Sequence, residues 1–166
     1  HFDVMDGMFV PSISFGMPVL SSIRGTTGQT MDVHLMVTDP IRYVEEFAKC
    51  GADSITVHQE ACEDLQGTLD RIHGCGVKAG ISIKPATPVE MLIPYPESLE
   101  RIRTLRSLLD ERGTEADIEV DGGIYHSNVA QVLEAGANVI VSGSGVFKGD
   151  VAKNTSEFME ILRRYE

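Results

Sequence analysis

The chain has 166 residues, 42% hydrophobic and 23% charged, which is room for one domain with a sizeable core and the composition of an ordinary globular protein. Fourteen Lys and Arg stand against 25 Asp and Glu, a net charge of −11, and no basic stripe is available to neutralise a phosphate backbone, so nucleic acid is excluded as an expected partner. No apolar run approaches the ~20 residues of a membrane span and the start HFDVMDGMFV has neither a basic nor an apolar leader region, so no membrane is expected either.

Short β-branched runs alternate with amphipathic stretches along the chain, the βαβα pattern of a parallel sheet covered by helices. Strands are expected at 1–5, 31–36, 54–58, 78–83, 117–121 and 139–142. A helix is expected over 40–50, where Ile41, Val44, Phe47 and Ala48 share a face behind the capping residue Asp39 and a first-turn Pro40. A second covers 98–111, with Leu99, Ile102, Leu105, Leu108 and Leu109 as its apolar stripe and Gly113 beyond its end. A third covers 127–134. Similar phrases separate helix from strand at Cys50-Gly51-Ala52-Asp53, Cys75-Gly76-Val77 and Ala135-Gly136-Ala137-Asn138, where Gly provides the left-handed residue that turns the chain back into the sheet. This recurrence indicates one repeated β/α unit without a linker. Cys50, Cys62 and Cys75 have no C-x-x-C spacing and fit a reducing, cytoplasmic setting.

Four polar groups sit near strand ends of the same polarity: His1 and Asp3 in HFDVMDG, His34 in DVHLM, and Asp121 in EVDGG. Residues two apart on a strand share a face, so His1, Asp3 and Met5 align, as do His34 and Met36. Each histidine alone is more often a hydrogen-bonded core group than a ligand, and each Asp alone can simply end a strand and cap a loop. Convergent, they make a mixed nitrogen and oxygen site suited to one divalent ion, Zn2+, Fe2+, Mn2+ or Co2+. His58 and Glu60 repeat the His1 and Asp3 spacing and rank behind the four as supporting or packing groups. Asp32 and Glu119, each two residues before a candidate ligand, are expected to point inward but deeper, with Lys84 an ion-pair partner for Glu119. Glycine-rich exits at Asp121-Gly122-Gly123 and Ser142-Gly143-Ser144-Gly145 either permit tight turns or cradle a phosphate with backbone N–H groups; two in consecutive units favour phosphate.

In HFDVMDGMFVPSISFG, MDVHLMVTDP, KPATP, PESLERIRTLR, IEVDGG and VSGSGVF, taken in this order, the chain resembles the ribulose-phosphate 3-epimerase family. The resemblance implies a (β/α)8 TIM barrel of the ribulose-phosphate-binding type and an isomerase of the pentose phosphate pathway that interconverts D-ribulose 5-phosphate and D-xylulose 5-phosphate. It implies that His1, Asp3, His34 and Asp121 bind the metal and that Asp3 and Asp121 are the acid and base on opposite faces of C3. It implies a sugar-phosphate partner touched by His34, Met5, Met36, Gly122, Gly123, Gly143 and Ser144, and a homo-oligomer, dimer or higher. Removing a proton next to the C2 ketone and returning one from the other side requires a group on each face, for which one carboxylate each suffices, and a cation would stabilise the enediolate between them. An epimerase of a six-carbon ketose phosphate such as allulose 6-phosphate, and a non-catalytic phosphate-binding relic, are the alternative readings.

At 166 residues the chain is shorter than the ~200 at which such barrels begin. The resemblance places the shortfall before His1, where the family has a first strand and helix, and between Tyr95 and Pro96, where it has a β/α turn with strand six. The six expected strands are then the second to fifth, seventh and eighth of one incomplete barrel domain spanning 1–166.

Overall fold

Successive side chains of a strand point to opposite sides, so the run Asp32-Val33-His34-Leu35-Met36 sorts polar from apolar groups before any packing is considered. The computed structural model describes residues 1–84, 86–87 and 98–165, and it divides into two compact units, His1–Ala86 and Thr87–Glu166. The segment joining Tyr95 to Pro96 lies outside the described residues. Among the described residues no helix is long and apolar enough to cross a membrane.

In the first unit, β1 (Phe2–Met5), β2 (Asp32–Met36), β3 (Ser54–His58) and β4 (Lys78–Ser82) form one parallel sheet in that order. The helices between them are α1 (Met17–Arg24), α2 (Val44–Lys49) and α3 (Leu65–Gly74). Phe2, Val4, Val33, Leu35, Ile55 and Val57 are buried with Leu20 of α1, Val44 and Phe47 of α2 and Ile72 of α3. Their burial fixes the register, because a slip of one residue would turn every polar partner into this core. The other face therefore carries Asp3 beside His34, His34 beside Thr56 and Thr56 beside Gly80.

In the second unit, β5 (Glu119–Asp121) and β6 (Val139–Val141) pair in parallel, and α4 (Ser98–Glu111), α5 (Val129–Glu134), α6 (Ser144–Phe147) and α7 (Val151–Leu162) accompany them. Leu99, Ile102, Leu105 and Leu109 of the expected α4 stripe pack in this unit's core with Val120, Val129, Ile140 and Phe158. The expected strands are all present, shorter by one or two residues at several ends. The expected helix over 40–50 is split into a 3₁₀ turn at Pro40–Arg42 and then α2. Asp39 is not its side-chain cap: its backbone is left-handed, with φ 54°, and its carbonyl accepts from the Arg42 N–H instead. Asp64 and Asp150 are working caps, accepting from the Gly67 and Lys153 N–H groups at 3.0 Å; they open α3 and α7, two helices the sequence reading did not name.

The repeated glycine phrase has a common geometry in both units. Gly51 has φ +100° with the Arg24 stem packed where a Cβ would stand, and Gly136 has φ +112° with the Arg106 stem in the same position. Arg24 donates to the Gly51 carbonyl and to Asp53; Arg106 donates to the Gly136 carbonyl and reaches the Asn138 side chain. Two residues after each glycine, Asp53 accepts from the Met31 N–H at 2.7 Å and Asn138 from the Ile118 N–H at 2.7 Å. Each unit thus ties helix, turn and neighbouring strand with one Arg, one Gly and one Asx side chain.

The loop after β1 is anchored by Asp6, whose carboxylate accepts from the N–H groups of Met8, Phe9 and Thr38 at 2.8 Å each. Desolvation pushes its pKa up, but the Thr38, Met8 and Phe9 donors outweigh that and hold it below the ordinary carboxylate value.

Replacing Gly51 with Ala puts a Cβ into the Arg24 stem at a backbone angle that side chains avoid, and is expected to lower unfolding stability by about 1–3 kcal/mol. Gly28→Ala, which meets nothing within 4 Å, should stay within about 0.5 kcal/mol in the same urea titration. Because Asp6 is depressed in the fold, its anchoring is intact above the ordinary carboxylate value and is lost as pH falls through the lower folded one. The amide shifts of Met8, Phe9 and Thr38 should therefore titrate together with a midpoint below ~3.9, and Asp6→Asn should abolish that shared step.

Candidate functional site

The polar face of the first unit gathers three of the four candidate ligands. Parallel pairing sets Asp3 directly beside His34, and His1 lies two residues before Asp3 on the same side. One ligand atom each from His1, Asp3 and His34 lie within 4.8 Å of one another. His1 Nε2 is 3.2 Å from Asp3 Oδ1, and His34 Nδ1 is 3.5 Å from that same oxygen. The fourth candidate, Asp121, is the last residue of β5 in the second unit, exposed and on the side opposite Val120, which packs into that unit's core.

The chemistry of these donors fits a cation. His1 Nδ1 stands 2.5 Å from Asp32 Oδ2 while its Nε2 faces Asp3. A neutral imidazole has one hydrogen for two carboxylates, so one contact sets a lone pair against a carboxylate unless a proton or a metal ion is shared there. Asp32 is itself oriented by the Ser54 hydroxyl, which donates to Oδ1 at 2.7 Å. A carboxylate behind the distal nitrogen of a histidine is the usual means of fixing a metal-binding tautomer. The His1 imidazole, hydrogen-bonded to Asp3, and then the neighbouring His34 ring hold the Asp3 carboxyl well below the usual carboxylate range, against the cost of its burial.

Behind His34 lies His58, the two Nε2 atoms 2.9 Å apart with ring planes 19° apart. Glu60 Oε2 is 3.2 Å from His58 Nδ1. Burial, with His34 nearby, pushes the His58 imidazole pKa down and keeps the ring neutral. Phe9 packs on His58 with centroids 5.0 Å apart. Lys84 donates to the Phe9 carbonyl at 3.1 Å and lies 3.7 Å over its ring. Met5 and Met36 are register partners one step beyond Asp3 and His34, both half-buried.

In the second unit the glycine-rich exits are drawn together. The Ser142 hydroxyl donates to the Ile124 carbonyl at 2.7 Å, and the Tyr125 and Ser144 hydroxyls are 3.0 Å apart. Gly122, Gly123, Gly143 and Ser144 of these two exits are exposed. The expected depth of Glu119 is not observed: it is exposed, because a three-residue β5 turns only Val120 into the core. Asp32 is half-buried and engaged with His1.

The sequence ranks His58 and Glu60 as supporting or packing groups and Asp32 as an inward residue, but it does not couple Asp32 to His1 or His58 to His34; the period-two spacing of Ser54, Thr56 and His58 is a further signal of that shared face.

A profile of the Ribulose-phosphate 3 epimerase family matches residues 1–95 and 93–147. Ribulose-phosphate 3-epimerase of Synechocystis sp. is 47% identical over 171 residues, covering 89% of this chain and 74% of that protein. The enzyme of the same name from Bacillus subtilis is 38% identical over 181 residues, covering 95% and 83%. Among solved structures, 3-keto-L-gulonate-6-phosphate decarboxylase from Vibrio cholerae superposes with TM-score 0.68 at 17% identity, covering 91% of this chain and 80% of that one. Orotidine 5'-phosphate decarboxylase from Pyrococcus horikoshii gives 0.64 at 15% identity, covering 89% and 81%. Both are TIM-barrel enzymes, and the likeness shows that the fold is of the β/α-barrel type.

Proposed function

The chain belongs to the ribulose-phosphate 3-epimerase family and is an isomerase, and from that premise we propose that it interconverts D-ribulose 5-phosphate and D-xylulose 5-phosphate at a metal-dependent centre. The observation that carries this reading is the His1, Asp3 and His34 cluster, two ring nitrogens facing one carboxylate oxygen. We read both units as parts of one β/α-barrel domain, with family sequence missing between Tyr95 and Pro96. Two family matches that meet at 93–95 support that reading.

Asp3 is the proposed base on one face of C3, toward the proton next to the C2 ketone, and its depressed pKa keeps it anionic. Asp121 is the proposed partner carboxylate on the opposite face, returning a proton there, a reading supported by the likeness of its EVDGG motif to the family. When bound by His1, Asp3, His34 and Asp121, a divalent ion supplies Lewis-acid stabilisation of the charge that develops on the substrate oxygens. Asp32 holds His1 with Nε2 toward Asp3. Met5 and Met36 form an apolar wall that keeps water from the carbanionic carbon. Backbone N–H groups of Gly122, Gly123, Gly143 and Ser144 are the proposed grip on the phosphate.

Full-length protein in D2O should convert D-ribulose 5-phosphate to D-xylulose 5-phosphate while deuterium enters at C3. Faster turnover of allulose 6-phosphate in competition would reassign the substrate to six carbons, and no exchange at C3 would leave the phosphate-binding relic. Asp121→Asn should lower kcat by about 10²–10⁴-fold, the usual worth of a positioned acid or base. A chelator should abolish turnover, and one equivalent of a divalent transition metal should restore it, with metal content followed by elemental analysis.

A further inference from the structure

His34 offers its Nδ1 to the Asp3 side and its Nε2 to His58, and only a ring with Nδ1 unprotonated has a lone pair to give a metal ion. An Nε2 to Nε2 contact of 2.9 Å holds one hydrogen: two would collide, and none would set lone pair against lone pair. With both rings neutral, two arrangements satisfy it. In the first, His34 Nε2–H donates to His58 and His58 Nδ1–H donates onward. In the second, the hydrogen belongs to His58 Nε2, His58 Nδ1 is bare, and His34 carries its hydrogen on Nδ1.

Glu60 distinguishes them. Its Oε1 accepts from the Lys84 N–H at 2.6 Å and its Oε2 stands 3.2 Å from His58 Nδ1. An ionised carboxylate has no hydrogen to give, so the second arrangement would press two lone pairs together at that contact. The His34 and His58 side chains are only 9% and 8% exposed, and Phe9 packs on His58, which limits access of water to either ring. At 3.5 Å, His34 Nδ1 and Asp3 Oδ1 are farther apart than the usual N–H···O bond.

We propose that Glu60, acting through His58, is a positioning residue that fixes His34 as the Nε2–H tautomer and so presents its Nδ1 lone pair toward Asp3. The inference rests on the reading of His34 as a metal ligand, and it makes the first unit symmetrical in logic. His1 is held from behind by Asp32 directly, and His34 is held by Glu60 at one ring's remove. It gives the His58 and Glu60 pair a specific task in place of general support.

The test is nitrogen-15 NMR of the histidine rings in the metal-free full-length protein, followed by Zn2+ titration against a chromophoric chelator. Wild-type His34 is expected with hydrogen on Nε2 and none on Nδ1. His58→Leu removes the acceptor and should release that preference, weakening Zn2+ binding about 10–100-fold. His58→Gln, whose amide oxygen can accept the same hydrogen, should recover most of the affinity. A wild-type His34 with its hydrogen on Nδ1 overturns the proposal, as does a folded His58→Leu protein that binds Zn2+ as tightly as wild type. Wild-type protein that binds no Zn2+ overturns the metal centre itself, and the tautomer of His34 then decides the inference alone.

Discussion

Asp3 stands beside His34 because β1 and β2 pair in parallel at one register and no other. Phe2, Val4, Val33 and Leu35 on the reverse side hold that register by their burial, Val33 and Leu35 completely. Shifting the strands by one residue would expose those four and bury two histidines and two carboxylates against the helices, a cost far above the marginal stability of a domain. The apolar core thus fixes the geometry of the polar face. The three candidate ligands of the first unit need no placement beyond the pairing of neighbouring strands, and their partners Asp32 and His58 lie on β2 and β3 of the same sheet.

A second device serves both halves of the chain. Arg24 with Gly51 and Asp53, and Arg106 with Gly136 and Asn138, make one clip twice. Each clip joins a helix to the turn after the next helix and orders the start of a strand through a side-chain acceptor. The strands so fixed, β2 and β5, are those that hold His34 and Asp121. A substitution in either clip would act on the site through strand position, although no clip residue touches a candidate ligand in its own unit.

Strand positions were legible because the code for them is local: alternation in DVHLM and SITVH, and a glycine after each helix. The family resemblance and the four candidate ligands followed from short motifs in those strands. What stayed hidden depends on distance along the chain. Asp32 and His1 are 31 residues apart and His58 and His34 are 24 apart, and no spacing rule couples them until the sheet is assembled. Asp39 shows the opposite failure. Its residue type and its place before Pro40 suited a cap, but a left-handed backbone gave its carbonyl the task expected of its side chain. Glu119 was misjudged in depth because alternation tells which side a residue takes and not how much of the strand is covered.

The central proposal is that two histidines and a carboxylate on the polar face of β1 and β2 bind a divalent ion, with Asp121 as the fourth ligand the family resemblance implies. Anomalous diffraction at the zinc edge from crystals grown with one equivalent of Zn2+ tests it most directly. The account predicts a single strong peak at bonding distance, about 2.0–2.2 Å, from a nitrogen of His1, a nitrogen of His34 and carboxylate oxygens of Asp3 and Asp121. A peak elsewhere, or none at these four residues, would contradict it.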